Sequence, residues 1–301
     1  MISATETNGV FRGSAQKSES EVHENPYHQQ WQRFITTAFD SRHTISEAPS
    51  LLLTDSTQLQ KFAGISAVAF AGAAMIMTAY WAHGPNTSEG YLGGLNWKEK
   101  TSNWHPVLMV AGAIFCLITS LLSFRVLPLP KTFQKTLHGI MHTAALVCMT
   151  IGLVAILQSR NFKKQNSHDA YKSNFTNIHA FVGLGVYILY GLNYVLGIAH
   201  YALPIFSLAM KKAYMHSHVF IGTFLLFGSL AAVVSGFTVM TGSCSYTVTS
   251  ADTNPAEHYH LLTNGCQLAN SIGIVSVLAV ILGYYAIFRS GSAPPARPDD
   301  K

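Results

Sequence analysis

Residues 216–240 read HSHVFIGTFLLFGSLAAVVSGFTVM and contain no Lys, Arg, Asp or Glu. As an α-helix, an apolar run of this length crosses the ~30 Å hydrocarbon core of a bilayer, which takes about 20 residues. Five more apolar stretches lie elsewhere in the chain, at 61–81, 105–127, 138–158, 178–201 and 266–288. None alternates with a period of two, and a backbone in lipid must satisfy its own hydrogen bonds, so all six are predicted to be helices. The sequence therefore predicts an all-α polytopic membrane protein with six transmembrane helices.

The overall composition agrees with lipid as the main solvent. Of the 301 residues, 49% are hydrophobic and only 11% are charged, against about 25% charged residues in soluble proteins. The net charge is +5, but Lys and Arg stand at the ends of the apolar segments and form no continuous stripe. This distribution excludes a nucleic-acid-binding protein.

Two tails are predicted to flank the membrane domain. Residues 1–58 are polar, rich in Ser, Thr, Glu and Gln, and lack sustained periodicity, so we predict a disordered tail. The six-helix domain is predicted at 59–289 and a second tail at 290–301. The first long apolar run begins near Lys61, which is too far along the chain for a cleaved secretory signal.

Both tails are predicted to lie in the cytosol. Six crossings put them on one side, and that side carries 13 of the 19 Lys and Arg residues, as the positive-inside rule requires. The loop that contains Arg160 and three lysines argues the other way. Glycosylation motifs at Asn86 and Asn174 both fall in loops assigned to the outside. Cys244 and Cys266 bracket the third outer loop, where they are expected either to form a disulfide or to remain free thiols.

Four of the fourteen histidines stand near the starts of four successive helices, at His105, His138, His179 and His218. Because successive transmembrane helices run in opposite directions, the second and fourth helices start on the outer side. The third and fifth start on the cytosolic side. The alternation therefore predicts two pairs of imidazoles, His105 with His179 and His138 with His218, one near each membrane face.

Each predicted pair suits a haem. Two facing imidazoles can fill both axial positions of the iron, which leaves no site for dioxygen and favours electron transfer. A histidine within a transmembrane segment is costly and is a functional candidate by default. We therefore interpret the pairs as ligands of two haems that form an electron path through a central four-helix bundle. His142, one turn after His138, is expected to replace it or to bond a haem propionate. The alternative for each histidine alone is an interfacial residue with its ring in water.

Motifs at several helix ends carry a family resemblance. They are Gly93-Gly94-Leu95-Asn96-Trp97, Asn103-Trp104-His105-Pro106, Ser120-Leu121-Leu122-Ser123-Phe124-Arg125, Lys131 and Lys135 ahead of His138-Gly139, and His218-Val219-Phe220-Ile221-Gly222. Over residues 61–288 the chain resembles the cytochrome b561 family of ascorbate-dependent transmembrane reductases. It departs from the family pattern in two places. Residues 176–181 read TNIHAF where the usual pattern is close to SLHSW, and the loop before these residues is longer than usual. The resemblance therefore leaves the outer substrate site unassigned.

The resemblance implies two haems b per chain with the same histidine pairing. It implies cytosolic ascorbate as electron donor and monodehydroascorbate or a ferric chelate as acceptor on the other side. It also implies a homodimer in an endomembrane vesicle, the vacuole or the plasma membrane. Lys131 and Lys135 would then hold the ascorbate anion, while Arg125 and Lys211 set the local field. The alternative is that these four residues anchor the helix ends among lipid headgroups.

Two rival functions also fit a histidine-rich membrane protein. One is a haem-binding subunit without a substrate site, docked in a larger complex. The other is a transporter whose histidines carry protons or a metal. Such transporters have acidic residues within their helices or paired helices broken by Gly and Pro, and neither feature is found in this sequence.

Overall fold

The computed structural model describes residues 50–126, 129–166, 174–241, 244, 246–248 and 260–288. The chain divides into two units, Met1–Thr54 and Asp55–Lys301, and the second contains the membrane-length apolar helices. Residues 1–49 of the predicted first tail and the whole predicted second tail lie outside the described residues. The first helix begins at Ser50, ahead of the predicted boundary, because no Pro or Gly interrupts residues 50–61.

Within the described ranges, six apolar helices of membrane length confirm the predicted number. Numbered in chain order, the membrane spans are Gln58–His83, Thr101–Leu122, Lys131–Asn161, Ile178–Ala202, Leu208–Thr241 and Asn264–Phe288. The α-helices that form them are Ser50–His83, Trp104–Val110, Leu117–Leu122, Lys131–Asn166, Ile178–Gly197, Leu208–Thr241 and Asn264–Phe288. Short 3₁₀ turns occur at Thr87–Glu89 and Thr101–Asn103, and π-helical turns at Ala111–Cys116 and Ile198–Ala202.

Local sequence sets the starts of the second and fourth spans. The side-chain oxygen of Asn177 accepts a hydrogen bond from the backbone N–H of Ala180 at 3.0 Å, which satisfies one of the donors left free at a helix N-terminus. Pro106 stands in the first turn of the second span, where a missing N–H costs little. These starts place His105 and His179 in the first turns of their helices.

The second to fifth spans form a four-helix arrangement. Each packs against the next in chain order, and the second also packs against the fifth. The sixth span packs against the second and the fifth. The first span reaches the fifth where the Trp81 ring lies 5.5 Å from that of Phe237. Alanines recur among the buried residues where the spans meet, and small residues let transmembrane helices approach closely.

The second and third spans approach each other backbone to backbone at Gly112. A Cβ atom on Gly112 would lie 2.7 Å from the carbonyl oxygen of Ala145 and 3.1 Å from Cβ of Cys148. Gly112 belongs to the π-helical turn Ala111–Cys116, a kind of irregularity that often marks functional sites. Because the nearest neighbour is a backbone atom, it cannot move aside unless a helix shifts.

We expect Gly112→Ala to lower the free energy of unfolding by about 1–3 kcal/mol, the usual cost of overpacking. Thermal unfolding of the detergent-purified protein measures the effect. Gly273→Ala in the sixth span is the matched control, because a Cβ there would meet nothing within 4 Å. Equal melting temperatures for the two variants would contradict the backbone contact.

The loop between the first and second spans is fixed to the helix ends around it. The side-chain amide of Asn103 donates to the carbonyl oxygens of Leu92 and Gly94, both at 2.8 Å. The N–H of Gly93 donates to the carbonyl of Gly84 at 2.9 Å. Gly93 and Gly94 have φ angles of +83° and +108°, which glycine adopts at little cost. The glycine pair therefore allows a compact turn that holds the start of the second span.

The loop between the fifth and sixth spans contains a disulfide and two short strands. Cys244 and Cys266 are bonded, with Cα atoms 6.1 Å apart, so the structure shows the disulfide rather than free thiols. Two short strands lie between the two cysteines in the chain and pair antiparallel: β1, Tyr246–Val248, and β2, His260–Leu262. No strand was predicted here, because three residues are too few for a period-two pattern.

Two names are useful for the ends of the molecule. The disulfide face is the end with Cys244, Cys266 and residues 84–103, and it includes the predicted glycosylation sites, Asn86 and Asn174. The basic face is the opposite end, with Arg125, Lys131, Lys135 and Lys211. Glycosylation of either asparagine stays a prediction.

Candidate functional site

His105 and His179 form a couple near the disulfide face. Their ring centres are 6.0 Å apart and the ring planes meet at 84°. The Nδ1 atom of His105 lies 3.0 Å from the carbonyl oxygen of Gly152 in the third span, and that of His179 lies 2.8 Å from the carbonyl oxygen of Ala232 in the fifth. Since a carbonyl can only accept, each Nδ1 carries the hydrogen and donates it. In the neutral imidazole the Nε2 atom then keeps its lone pair.

His138 and His218 form a second couple near the basic face. Their ring centres are 6.4 Å apart at an angle of 62°. Nδ1 of His138 lies 3.1 Å from the carbonyl oxygen of Ser120, whose hydroxyl donates to the His138 carbonyl at 2.9 Å. Nδ1 of His218 is buried and has no hydrogen-bond partner among the described residues. Three of the four rings are thus anchored to the backbone of a neighbouring helix, and His218 is the exception.

Both couples have the separation that one shared metal ion requires. A metal–imidazole bond is about 2.0–2.1 Å long and a ring nitrogen lies about 1.2 Å from its ring centre, so two imidazoles on one metal ion have centres no more than about 6.5 Å apart. The observed distances, 6.0 and 6.4 Å, both lie within this limit. A metal-bound histidine also usually donates its other N–H to a carbonyl or carboxylate. The residues present therefore fit a group such as haem, whose iron takes two imidazoles.

A cavity of about 250 Å³ opens among the second to fifth spans beside the first couple. His105 and His179 line it, and the rest of its wall is mostly apolar, with Met109, Val186 and Phe237 as examples. An apolar cavity with a few convergent polar groups is typical of a cofactor site. The cavity therefore supports the same interpretation as the geometry of the couple.

Two glycines leave room for the rings. A Cβ atom on Gly236 would lie 2.8 Å from Cε1 of His179, and a Cβ on Gly197 would lie 3.3 Å from Cε1 of His218. Each glycine belongs to the span that packs against the span carrying the ring, since the fourth and fifth spans are neighbours. Any larger residue at either position would push on an imidazole.

Arg160 lines the same cavity as the first couple, at the disulfide-face end of the third span. From the sequence alone, Arg160 counts only as a charge against the predicted orientation. Ser102 and Asn174 line the cavity as well, so one end of a mostly apolar pocket carries polar groups. The position of Arg160 could have indicated this role. It stands just after the apolar run 138–158, where a charged side chain either reaches the lipid headgroups or enters a cavity.

Three tyrosines of the fourth span hydrogen-bond to side chains of the third. The pairs are Tyr187 with Thr150 at 3.0 Å, Tyr190 with His142 at 2.5 Å, and Tyr194 with Thr143 at 2.8 Å. These three hydrogen bonds were not predicted from the sequence. The signal was their spacing, i, i+3 and i+7, which puts them on one face of an apolar helix, where a buried phenol needs a partner.

His142 takes part in this set and also touches the second couple. Its ring centre lies 4.4 Å from that of His138, and its partner Tyr190 is 2% exposed. His142 therefore has a hydrogen bond of its own inside the bundle. The two roles predicted for it, replacing His138 or bonding a propionate, stay predictions.

The four basic residues named from the sequence lie at the basic face. Arg125, Lys131 and Lys135 are exposed, and Lys211 is half-buried. The hydroxyl of Tyr201 donates to the carbonyl oxygen of Lys211 at 3.2 Å, which ties the start of the fifth span to the end of the fourth. Anion binding by these residues stays a prediction.

Similar proteins identify the family. The model of eukaryotic cytochrome b561 matches residues 104–243, a range with all four coupled histidines. Transmembrane ascorbate ferrireductase 1 of Arabidopsis thaliana is 30% identical over 173 residues, which cover 56% of this chain and 67% of that protein. The chain belongs to the cytochrome b561 family. The lysosomal membrane ascorbate-dependent ferrireductase of Homo sapiens is 29% identical over 227 residues, or 73% of this chain and 85% of that protein. The plasma membrane ascorbate-dependent reductase of Xenopus laevis is 34% identical over 151 residues, 48% of this chain and 50% of that protein.

Membership of the cytochrome b561 family confirms the predicted class of protein. The chain is a multi-pass membrane oxidoreductase, and haem b is the cofactor of its family. The matched range runs from the start of the second span to just beyond the fifth, so the part that carries the two couples is the part the family shares. The number of haems, the ligand residues and the orientation stay predictions.

We expect Tyr190→Phe to destabilise the fold by about 1 kcal/mol, because hydrogen bonds between transmembrane helices are worth about 0.6 kcal/mol on average and up to about 1.7. The change leaves Nδ1 of His142 without its partner. Tyr187→Phe is the control and should cost less, since Thr150 also donates to the carbonyl of Leu146 at 2.7 Å. Chemical unfolding of both variants compares them, and an equal or larger loss for Tyr187→Phe would refute the assignment.

Proposed function

We propose that the chain is an ascorbate-dependent transmembrane reductase that holds two haems b. His105 and His179 would hold one near the disulfide face, and His138 and His218 the other near the basic face. The observation that carries the proposal is the presence of two imidazole couples, 6.0 and 6.4 Å between ring centres, at opposite ends of the same four helices. A single couple would make a binding site, whereas two at different depths make a path across the membrane.

The residues of this chain supply ligation and orientation. Haem b itself supplies a reversible one-electron carrier. Two imidazoles per iron leave no open position for dioxygen, which favours electron transfer. The Nδ1 bonds to Gly152, Ala232 and Ser120 hold three rings with Nε2 presented, and such bonds raise the basicity of the ligand.

The proposed orientation puts the basic face in the cytosol. The positive-inside rule supports it, because the side with both tails carries 13 of the 19 Lys and Arg residues. The disulfide between Cys244 and Cys266 also supports it, since disulfides persist on the non-cytosolic side of membranes. An endomembrane vesicle, the vacuole and the plasma membrane are all consistent with this orientation.

Ascorbate is the proposed donor at the basic face. The similar proteins named above are ascorbate-dependent reductases, which supports this donor. Ascorbate is a monoanion at neutral pH, so exposed cations beside the second couple would attract it. We assign Lys131 and Lys135 to holding the anion as mobile point charges, and Arg125 and Lys211 to setting the field around it.

Monodehydroascorbate or a ferric chelate is the proposed acceptor at the disulfide face. Both are anionic in their common forms, and the cation at Arg160 lines the cavity beside His105 and His179. The names of the similar ferrireductases support ferric iron as one acceptor. A homodimer, as the family resemblance implies, is part of the proposal.

The number of haems per chain tests the ligand assignment. We expect two per wild-type chain, and one in His179→Leu and in His138→Leu, because each change removes one ligand of one couple. His216→Leu is the control: His216 is exposed and lies two residues before His218 on the same helix. Haem extracted and counted against protein measures this. One haem in the wild-type chain, or two in either ligand variant, would rule the assignment out.

Ascorbate dependence tests the donor site. We expect the double variant Lys131→Ala, Lys135→Ala to raise the ascorbate concentration at half-maximal rate by about 2- to 30-fold, since two exposed charges contribute about 0.4–2 kcal/mol together. The double variant Lys98→Ala, Lys100→Ala removes two exposed lysines from the disulfide face and should leave that concentration unchanged. An identical ascorbate curve for both variants would remove Lys131 and Lys135 from the site. If the wild-type protein keeps two haems that ascorbate does not reduce, the chain is instead a non-catalytic haem-binding subunit.

A further inference from the structure

His200 stands on the basic face in the π-helical turn Ile198–Ala202 that ends the fourth span. Its ring is stacked 4.1 Å from that of Phe206, with planes 6° apart, and 4.1 Å from that of Tyr214, with planes 21° apart. Two rings cannot both occupy one side of an imidazole at this distance, so His200 is held between them. The half-buried side chain therefore has a fixed plane at the edge of the bundle.

Of the two ring nitrogens of His200, Nδ1 is hydrogen-bonded and Nε2 is not, within the part of the chain that the structure describes. Nδ1 lies 2.8 Å from the carbonyl oxygen of Leu196 and donates to it. Nε2, on the other edge of the ring, then carries a lone pair, and it has no hydrogen-bond partner among the described residues. A positioned imidazole with a free lone pair can act as a general base.

A single layer of aromatic side chains separates His200 from the second couple. The rings of Tyr201 and Tyr214 both contact that of His200. Their centres also lie 5.6 and 5.8 Å from the ring centre of His218. A molecule bound against His200 would therefore be close enough to exchange electrons with a group held by His218.

The neighbouring polar groups are poor proton acceptors by comparison. The hydroxyl of Tyr201 donates to the Lys211 carbonyl, and that of Tyr214 donates to the side-chain oxygen of Asn193 at 3.3 Å, so both phenols hold their protons in hydrogen bonds. The ammonium group of lysine and the guanidinium group of arginine donate hydrogen bonds and have no acceptor atom. Among these neighbouring groups, the imidazole of His200 is therefore the best proton acceptor.

The proposed donor needs such a base. Ascorbate is a monoanion, and the radical left after it loses one electron is a monoanion as well. Charge balance therefore requires that one proton leaves with each electron. A positioned base that takes a proton in the transition state commonly accelerates a reaction by about 10²–10⁴-fold.

We infer that His200 accepts the proton that ascorbate releases when it gives up its electron at the basic face. This inference rests on the proposed function. The O–H bond of the donor's hydroxyl breaks and the proton goes to Nε2 of His200. The electron would go to the haem that His138 and His218 are proposed to hold, and the donor would leave as monodehydroascorbate. His200 then returns the proton to cytosolic water.

The test compares two reductants on the full-length, haem-loaded protein. Dithionite delivers one electron through a radical anion that releases no proton. His200→Phe keeps an aromatic ring between Phe206 and Tyr214 and removes the acceptor. Stopped-flow absorbance measures the rate of haem reduction. In His200→Phe the rate with ascorbate should fall at least tenfold, and the rate with dithionite should stay within twofold of the wild-type rate. His216→Phe, which alters an exposed histidine on the same face, should match wild type with both reductants.

The remaining outcomes are decisive as well. Equal ascorbate rates in wild type and His200→Phe, or an equal slowing with both reductants, would overturn the role of His200 and leave the proposed function standing. A wild-type protein that dithionite reduces and ascorbate does not would overturn the proposed function itself. If His200→Phe does not retain haem, His200→Gln replaces it, because the amide can still donate to the Leu196 carbonyl but cannot take up a proton. The same tenfold and twofold limits then apply.

Discussion

The arrangement of the site depends on one interaction, a hydrogen bond from an imidazole Nδ1–H to the backbone carbonyl of a neighbouring helix. A histidine ring inside a membrane domain is costly unless its polar atoms are satisfied. His105 bonds to Gly152 in the third span, and His179 bonds to Ala232 in the fifth. Each bond fixes the tautomer and the ring plane, and it also joins two spans at one depth. The orientation of these rings and the packing of the helices are therefore the same constraint, so neither can change alone.

That constraint requires helices that lie unusually close together, and glycine provides the space. In lipid, helices gain little from burying apolar surface, so close packing of small residues brings them together. Gly112 lets the backbone of the second span pack directly against the carbonyl of Ala145 in the third. Gly236 leaves room for the ring of His179, and Gly197 for that of His218. Residues without functional groups thus determine whether the functional ones reach their partners.

The sequence predicted the features that depend on length, composition and chain direction. The six spans follow from apolar runs such as 216–240, and the neighbourhood of His105 with His179 follows from the alternation of helix directions. The missed features depend on how each helix is rotated about its axis, which a single sequence does not determine. The bond between Tyr190 and His142 and the position of Arg160 on the cavity wall are of this kind. The strands Tyr246–Val248 and His260–Leu262 were missed because three residues leave no pattern.

The two couples are not equivalent, and the difference bears on the direction of electron flow. Both rings of the His105–His179 couple are anchored through Nδ1, whereas His218 is enclosed by Tyr201 and Tyr214 instead. An anchored imidazole would be the more basic ligand of a haem held there and would favour the ferric state. Ligation alone would therefore oppose transfer from the basic face to the disulfide face. A positive charge near a carrier favours its reduced state, and Arg160 lines the cavity of the anchored couple. In the proposed site the field of Arg160 would therefore act against the effect of the anchors.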